Sequence, residues 1–428
     1  TKPGFTLDCT VPDGHQVELD IIARVGPDSW TSSEDLPCRS PFLYAEGSTI
    51  DDIAAGNGNG LADPGETVDL EVDISNSGSC QSDSLSITID SDDPDVLFAN
   101  DSVRFASIAA AGSGVAVFTM TAGANMEPGT SVMLFLDFTD DRGAVNNDTL
   151  EISIGKKPVL IIDLDPNNTS GPAMQTAIEN NGVPADYLTS MPADLDIYSS
   201  VFVHLGIYSS NHVLSASEGT QLAGYLNQGG NLYMEGGDTW CFDSQTDVHP
   251  MFSIDPVADG SADMATVVGV SGTNFEGFSF QYSGENNWMD RIGTSGTSVA
   301  VLNNSSPSYG TVVIYDGGAH KTIGASHEFG GLDDGTSTKT QLAGKYLRFF
   351  DIPLFNEWLG NNTNWDDPAN WSNGLVPDPN THVTIPAATT RGYFPAENRS
   401  GEMDCKTLTV EPGGSFTIPV SSTMHIHN

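Results

Sequence analysis

The chain holds 428 residues, with 57 Asp and Glu against 15 Lys and Arg and a formal charge of −42, which puts the pI near 4.1. Such a field repels nucleic acid and anionic lipid, so neither is an expected partner. The length implies about two to four domains, and no apolar run approaches the roughly 20 residues of a membrane-spanning helix.

Residues 1–48 read as strands without a beginning: Gly4–Cys9, Gln16–Ile22, Trp30 and Phe42–Tyr44. They are expected to be the tail of a preceding β-sandwich module. Cys9 and Cys38 bracket this small unit and are expected to staple it as a disulfide, worth about 3 kcal/mol in the chain-entropy model; two buried free thiols are the alternative.

The stretch from Ala55 to Glu66 has the register of a calcium loop, whose ligands fall at positions 1, 3, 5, 7, 9 and 12 around a glycine at 6. Counted from Ala55, the side chains of Asn57, Asn59, Asp63 and Glu66 and the carbonyl of Leu61 are in place, with Gly60 at the turn. Ala55 offers no side-chain oxygen at position 1, so Asp51 or Asp52 is expected to complete the shell. Thr67–Ile74 then alternates like a half-buried strand, which argues for a calcium-pinned loop opening a β-sandwich and against an EF-hand helix. An Asn/Gly-rich turn without metal is the alternative.

Residues 49–155 carry short strands at Val68–Ile74, Leu85–Ile89, Val96–Phe98, Val115–Met120, Val132–Phe138 and Thr149–Ile154. Turn clusters separate them at the spacing of an Ig-like sandwich. Residues 156–354 change period. Pro158–Asp163 is a continuous apolar strand of the kind buried on both faces, followed by a helix at 172–181, a strand at Ser199–Leu205, a helix opened by the Ser215/Glu218 capping box, and a strand at Asn231–Glu235. A hairpin, Thr311–Tyr315 with Thr322–Ala325, and an amphipathic helix at Thr338–Phe350 close the unit. The alternation predicts a doubly wound α/β domain. Residues 355–428 hold Trp358, Trp365 and Trp371 and then strands at His382–Ile385, Thr407–Val410, Ser415–Ile418 and Thr423–His427, spaced like the rungs of a β-solenoid.

Three resemblances follow from these residues. Gly56-Asn-Gly-Asn-Gly60 with Asp63-Pro-Gly-Glu66 and Asn76-Ser-Gly78 resembles the adhesion-type Ig-like modules of secreted bacterial surface proteins and peptidases, which often stand in tandem. Val159–Asp165, Tyr225–Leu232 and Gly324–Leu332 resemble the flavodoxin-like, glutamine-amidotransferase-like domains found beside such modules in secreted Bacteroidetes proteins. The Trp/Asn-rich stretch from Trp358 resembles modules that precede sorting tails in type IX secretion, and a C-terminus cut before that tail is expected. The same class implies O-glycosylation at Asp-Ser/Thr-apolar triplets, here Ser84, Ser102 and Thr149, each expected at a turn or strand edge.

Candidate chemistry is sparse. Where active amidotransferase relatives place a nucleophile, Tyr233-Met-Glu235-Gly-Gly237 offers Glu235, so that chemistry is expected to be lost. Cys241 with His249 is a conceivable thiolate–imidazole pair, outweighed by a structural cysteine. Asp163-Leu-Asp165, with Lys321 and Asp333-Asp334, resembles the haloacid-dehalogenase motif, but Pro166 replaces its flexible residue. His425 and His427 share a strand face that could hold a metal. The reading is a non-catalytic, calcium-stiffened structural or adhesive region of an extracellular or outer-surface protein, partnered by other surface proteins, by itself or by glycans. One alternative is the accessory C-terminal region of a secreted peptidase. Another is a carbohydrate-binding surface built on exposed Trp365 and Trp371.

Overall fold

The computed structural model describes residues 11–398 and 401–427, and the chain divides after Lys157 into two compact units. In the first, β1 (Gln16–Val25) and β2 (Asp28–Pro37) form an antiparallel hairpin. Among the described residues each pairs only with the other, and nearly every side chain on both is exposed. Among the same residues the hairpin packs against no second sheet.

The sandwich itself begins earlier than expected, with β3 (Leu43–Asp51), so a boundary at residue 48 falls inside a strand. It continues through β4 (Thr67–Asn76), β5 (Ser82–Ser91), β6 (Val96–Phe98), β7 (Ser102–Ile108), β8 (Ser113–Ala122), β9 (Thr130–Asp140) and β10 (Gly143–Ile154). Two four-stranded sheets result, ordered β3-β4-β8-β6 and β10-β9-β5-β7, and the pairings along both are antiparallel. Period-two alternation sets the packing: Val68, Leu70, Val72 and Ile74 of β4 point inward against Phe118, Leu134, Leu136 and Phe138. The Asn76-Ser-Gly78 motif is a structural tie. Asn76 is buried, its amide donates to the carbonyls of Cys80, Ile108 and Ala109, and its oxygen accepts from Phe42 and Gly78. A Cβ on Gly78 would lie 2.4 Å from the Phe42 nitrogen, so glycine is required there.

The second unit opens with β11 (Lys157–Asp163), α1 (Ser170–Glu179), β12 (Ala185–Leu188), β13 (Tyr198–His204), α2 (Ala216–Asn227) and β14 (Asn231–Glu235). An insertion then brings β15 (Ile254–Ala258), β16 (Thr266–Gly269), β17 (Ser279–Tyr282), β18 (Arg291–Thr294) and β19 (Val299–Asn304). After it come β20 (Tyr309–Asp316), β21 (Lys321–Ala325), β22 (Leu332–Asp333) and α3 (Lys339–Phe349). The sheet order is β12-β11-β13-β14-β21-β20-β19-β16-β17-β22. β12 with β11, β13 with β14, and β14 with β21 are parallel, whereas β21 with β20 and every pair beyond is antiparallel. The domain is therefore a mixed sheet with three helices, wider than the expected parallel sheet. Val159 and Ile161 pack with α1 and α3, while Leu160 and Ile162 pack with α2, so helices cover both faces of the parallel half. The continuous apolar β11 is the sequence trace of that double burial.

The last segment stacks β23 (Leu354–Glu357), β24 (Thr381–Ile385) and β26 (Thr407–Val410) in parallel, and separately pairs β25 (Glu402–Cys405) with β27 (Thr423–Ile426), also in parallel. These are solenoid-like rungs, although Ser415–Ile418 forms no strand. Trp358, Trp365 and Trp371 are at most 1% exposed and pack with Val383, Ile385, Met403 and Cys405. The expected glycan-stacking surface on Trp365 and Trp371 is thereby overturned. In a module with strands of only four or five residues, indole rings are what fills the core.

Candidate functional site

The opening loop follows β3, where Asp52 is buried beneath the glycine turn. Its carboxylate accepts the backbone N–H groups of Gly58, Asn59 and Gly60, three of about four lone-pair sites. Burial works to raise the Asp52 pKa, but these amides outweigh it and hold the carboxyl below its ordinary value. A Cβ on Gly56 would sit 2.7 Å from the Asp52 Cβ. Beyond this turn, the Asn57 and Asn59 amides both donate to Oδ2 of Asp63 at 2.7 Å, and Glu66 accepts from the nitrogens of Asn57 and Asp63.

The structure thus gathers Asn57, Asn59, Asp63 and Glu66, and it sets Asp52 apart as the anchor of the turn. Asp51 is exposed and accepts from Ile53; Leu61 donates its nitrogen to Asn59. Among the described residues no three His, Cys, Asp or Glu side chains gather at metal-binding distance. The fit to calcium consequently depends on amide and main-chain oxygens beside Asp63 and Glu66. Asn57 Oδ1 and Asn59 Oδ1 each accept one main-chain N–H, leaving a lone pair to offer.

A second cluster lies at the carboxyl ends of the parallel strands, where open α/β sheets place ligands. Glu235 ends β14 and is fully buried. Its Oε2 accepts from the Tyr233 hydroxyl at 2.5 Å and the Phe329 nitrogen at 2.9 Å, and its Oε1 lies 3.4 Å from His204 Nδ1 at the end of β13. Burial opposes ionisation of Glu235, yet His204 and the hydrogen bonds prevail and keep its pKa below the usual value. Around it stand Asp163, bonded to Tyr187 at 2.5 Å; Asp165, which caps the 167–169 turn; and Glu328, which accepts from Thr169, Tyr282 and the Glu285 nitrogen. Burial raises the pKa of Asp163 and of Glu328 and pushes the His327 imidazole down to about 4.

The carboxylates of Asp163, Asp165 and Glu328 and one oxygen of Glu235 are engaged by neighbours in the same cluster, whereas Glu235 Oε1, the His204 ring nitrogens and His327 Nδ1 are buried without a hydrogen bond among the described residues. The dehalogenase-type arrangement fails on topology. Lys321 starts β21 at the opposite end of the sheet from Asp163 and pairs with Asp351, while Asp333 accepts from Ser283 and Asp334 pairs with Lys339. Pro166 was the visible warning. His204, His327 and Glu328 escaped sequence reasoning, although His327-Glu328 directly after an apolar strand is a detectable signal.

Next to β14, His249 accepts from the Thr246 nitrogen and lies 3.1 Å from the Thr239 hydroxyl, so both ring nitrogens are engaged away from Cys241. Burial raises the Cys241 pKa, the opposite of thiolate activation. The turn is instead held by Asp290, fully buried, whose Oδ2 accepts from the nitrogens of Trp240 and Cys241 at 2.9 and 2.7 Å. Burial, reinforced by nearby Asp238 and only partly offset by those amides, pushes the Asp290 carboxyl up to about 7. Between an unfolded pKa of about 4 and that folded value, the native state holds a proton the unfolded chain has released. Stability from this group therefore falls as pH rises through that window. Relative to Asp290→Asn, the wild type should lose about 2 kcal/mol of unfolding free energy from pH 5 to pH 8; parallel pH profiles in urea unfolding would contradict this.

Ser84, Ser102 and Thr149 are all exposed. Ser102 starts β7 and Thr149 lies on the outer strand β10, whereas Ser84 sits inside β5 with a φ of +53°. Cys38 is buried and Cys9 falls outside the described residues, among which no disulfide occurs. His425 and His427 meet Glu402 and Asp404 as two separate ion pairs across β25 and β27.

No family model matches the sequence, and no curated protein matches it. Solved structures share parts of the architecture. An exo-β-1,4-mannosidase from Opitutaceae bacterium strain TAV5 is 11% identical over 46% of this chain and 36% of its own, with a TM-score of 0.33. A CARDB domain from Pyrococcus furiosus, solved with di-metal ions, is 14% identical over 27% and 88%, with a TM-score of 0.18. A C. elegans MSP family member is 7% identical over 22% and 89%, with a TM-score of 0.16. The chain spans about a third of the mannosidase's length. At such scores these likenesses carry no argument about its role, and they leave a β-rich multidomain chain with Ig-like sandwich sheets and no assigned family.

Proposed function

We propose that this chain is a non-catalytic, calcium-stiffened region of an extracellular or outer-surface protein, which spaces, displays or attaches other modules. One observation carries the reading. Glu235, at the strand end where an amidotransferase-like domain would present its nucleophile, is fully buried, accepts from Tyr233 and Phe329, and faces His204 at 3.4 Å. A group so enclosed meets no substrate. The resemblance to secreted Bacteroidetes proteins of the type IX class accords with the acidic surface and with exposed Ser84, Ser102 and Thr149 as glycan acceptors.

Calcium enters through the loop at 57–66. Its glycines are costly to order, and a cation held by Asp63, Glu66 and the Asn57, Asn59 and Leu61 oxygens stabilises only the folded form. Limited proteolysis tests this: chelator should expose Gly56–Gly60 to cleavage and added calcium should restore resistance. Cleavage at equal rates in both would overturn the calcium assignment. Turnover in a panel of amide, ester and phosphate substrates that is abolished by Glu235→Gln would overturn the non-catalytic one.

A further inference from the structure

A cleft of about 640 Å³ opens on the side of the second unit where β21 begins, within the range that small-molecule sites occupy. Its floor is sheet: Val299, Val301 and Ile314. One wall is the 272–275 loop, ending on Phe275, and the other is the last two turns of α3. Lys345, Arg348 and Phe349 lie three and four residues apart, so they share one face of that helix and point into the same space.

The charges are unusual for this chain. Three of its fifteen basic side chains, Lys321, Lys345 and Arg348, line a single cleft. Two are spent: Lys321 pairs with Asp351, and Arg348 pairs with Asp378 at 2.9 Å and donates to the Val376 carbonyl. Lys345 is half-buried and has no hydrogen-bond or ion-pair partner among the described residues, and no hydrogen bond there engages the exposed Asn274 amide across the cleft. Burying an ammonium without a partner is costly, and burial does depress the Lys345 pKa. The cleft therefore presents one uncompensated positive charge above an apolar floor. The surrounding charge of −42 disfavours a polyanion.

We propose that this cleft binds a small organic monoanion with an apolar, ring-sized body, its carboxylate seated on Lys345 and its body against Phe349 and Ile314. Neither the opening loop nor the buried strand edge takes part in this site. An anion at Lys345 favours the ammonium form that burial and the neighbouring Arg348 disfavour, in the same sense as Asp378, so affinity should decline as pH is raised through the titration of Lys345.

The test is calorimetric titration of the whole chain at low salt with benzoate, 4-phenylbutyrate and 2-naphthoate, beside neutral 4-phenylbutyramide. At least one carboxylate should bind saturably with one site per chain, and Lys345→Gln should weaken it about tenfold or more, the loss expected for a charge-assisted contact. Val299→Trp, which fills the cleft from a half-exposed position, should abolish binding. Lys339→Gln, on the same helix but committed to Asp334 and the Leu332 carbonyl, should leave it unchanged. Circular dichroism confirms that each variant is folded. The assignment is overturned if no carboxylate saturates by about 10 mM, if the amide binds as tightly as its acid, or if Lys345→Gln and Val299→Trp, both folded, bind like the wild type.

Discussion

Trp365→Ala should unfold the C-terminal segment while leaving the sandwich unit intact. The Trp365 ring is 4.7 Å from that of Trp371 in an edge-to-face contact and 5.7 Å from that of Phe416. Trp371 donates its indole N–H to the Trp365 carbonyl, and Trp358 donates to the Tyr393 carbonyl, so two of the three rings are held by hydrogen bonds as well as packed. Truncating a fully buried Trp costs about 3–5 kcal/mol, a large share of what a small module holds in reserve. Tryptophan fluorescence should move to the red and one calorimetric transition should be lost. A native-like emission maximum would mean that Trp365 is not core. Trp365→Phe, which keeps an aromatic ring in place, should retain the transition at a lower temperature.

The second large effect is expected from His204→Leu. It removes the imidazole that lies 3.4 Å from Glu235 Oε1 inside the core, and breaking a buried pair from one side costs about 3–5 kcal/mol. Adding Glu235→Gln should recover much of this, because a neutral amide oxygen still accepts from Tyr233 and Phe329. Glu235 itself has a lowered pKa in the folded chain, so its contribution is present above the ordinary glutamate pKa and is lost as pH falls through the folded value. In His204→Leu that acid-side loss should shrink, since the largest influence holding the carboxyl in its charged form is gone while the Tyr233 and Phe329 hydrogen bonds remain. Urea unfolding at pH 7 and pH 4 measures both effects. If the single variant costs under about 1 kcal/mol, the charged pair is not what closes this edge.

Local pattern carried the sandwich and the parallel half of the α/β domain. Alternation in Thr67–Ile74 and the unbroken apolar run at Pro158–Asp163 each report which faces are buried, and both strands form where expected. What sequence could not supply was pairing at a distance. The hairpin of β1 and β2 reads like sandwich strands because its composition is β-rich, yet burial depends on a second sheet, which the hairpin does not meet among the described residues. The antiparallel extension from β15 to β22 follows register across eighty residues, Ile254 to Asp333, with little periodicity in each short strand.

The same limit governs the candidate sites. Asp63 and Glu66 were visible because their loop is contiguous, whereas Asp290 meets Trp240 and Cys241 across about fifty positions. The tryptophans show the converse failure. Spacing revealed that they act together, but not that they face inward, because that depends on the parallel rungs of β23, β24 and β26.

Calcium-dependent calorimetry of the whole chain tests the central claim most directly. A ligand present at about a hundred times its Kd adds about 2.7 kcal/mol to the form it binds, equivalent to roughly 5–10 °C for a unit of this size. The transition of the sandwich unit should therefore rise by that amount between chelator and millimolar calcium, and that of the second unit should stay where it is. Glu66→Gln alone does not discriminate, because Glu66 also accepts the Asn57 and Asp63 nitrogens whether or not a cation is present. Identical thermograms with and without calcium would contradict the account and leave the opening loop as a turn held by Asp52, Asp63 and Glu66 alone.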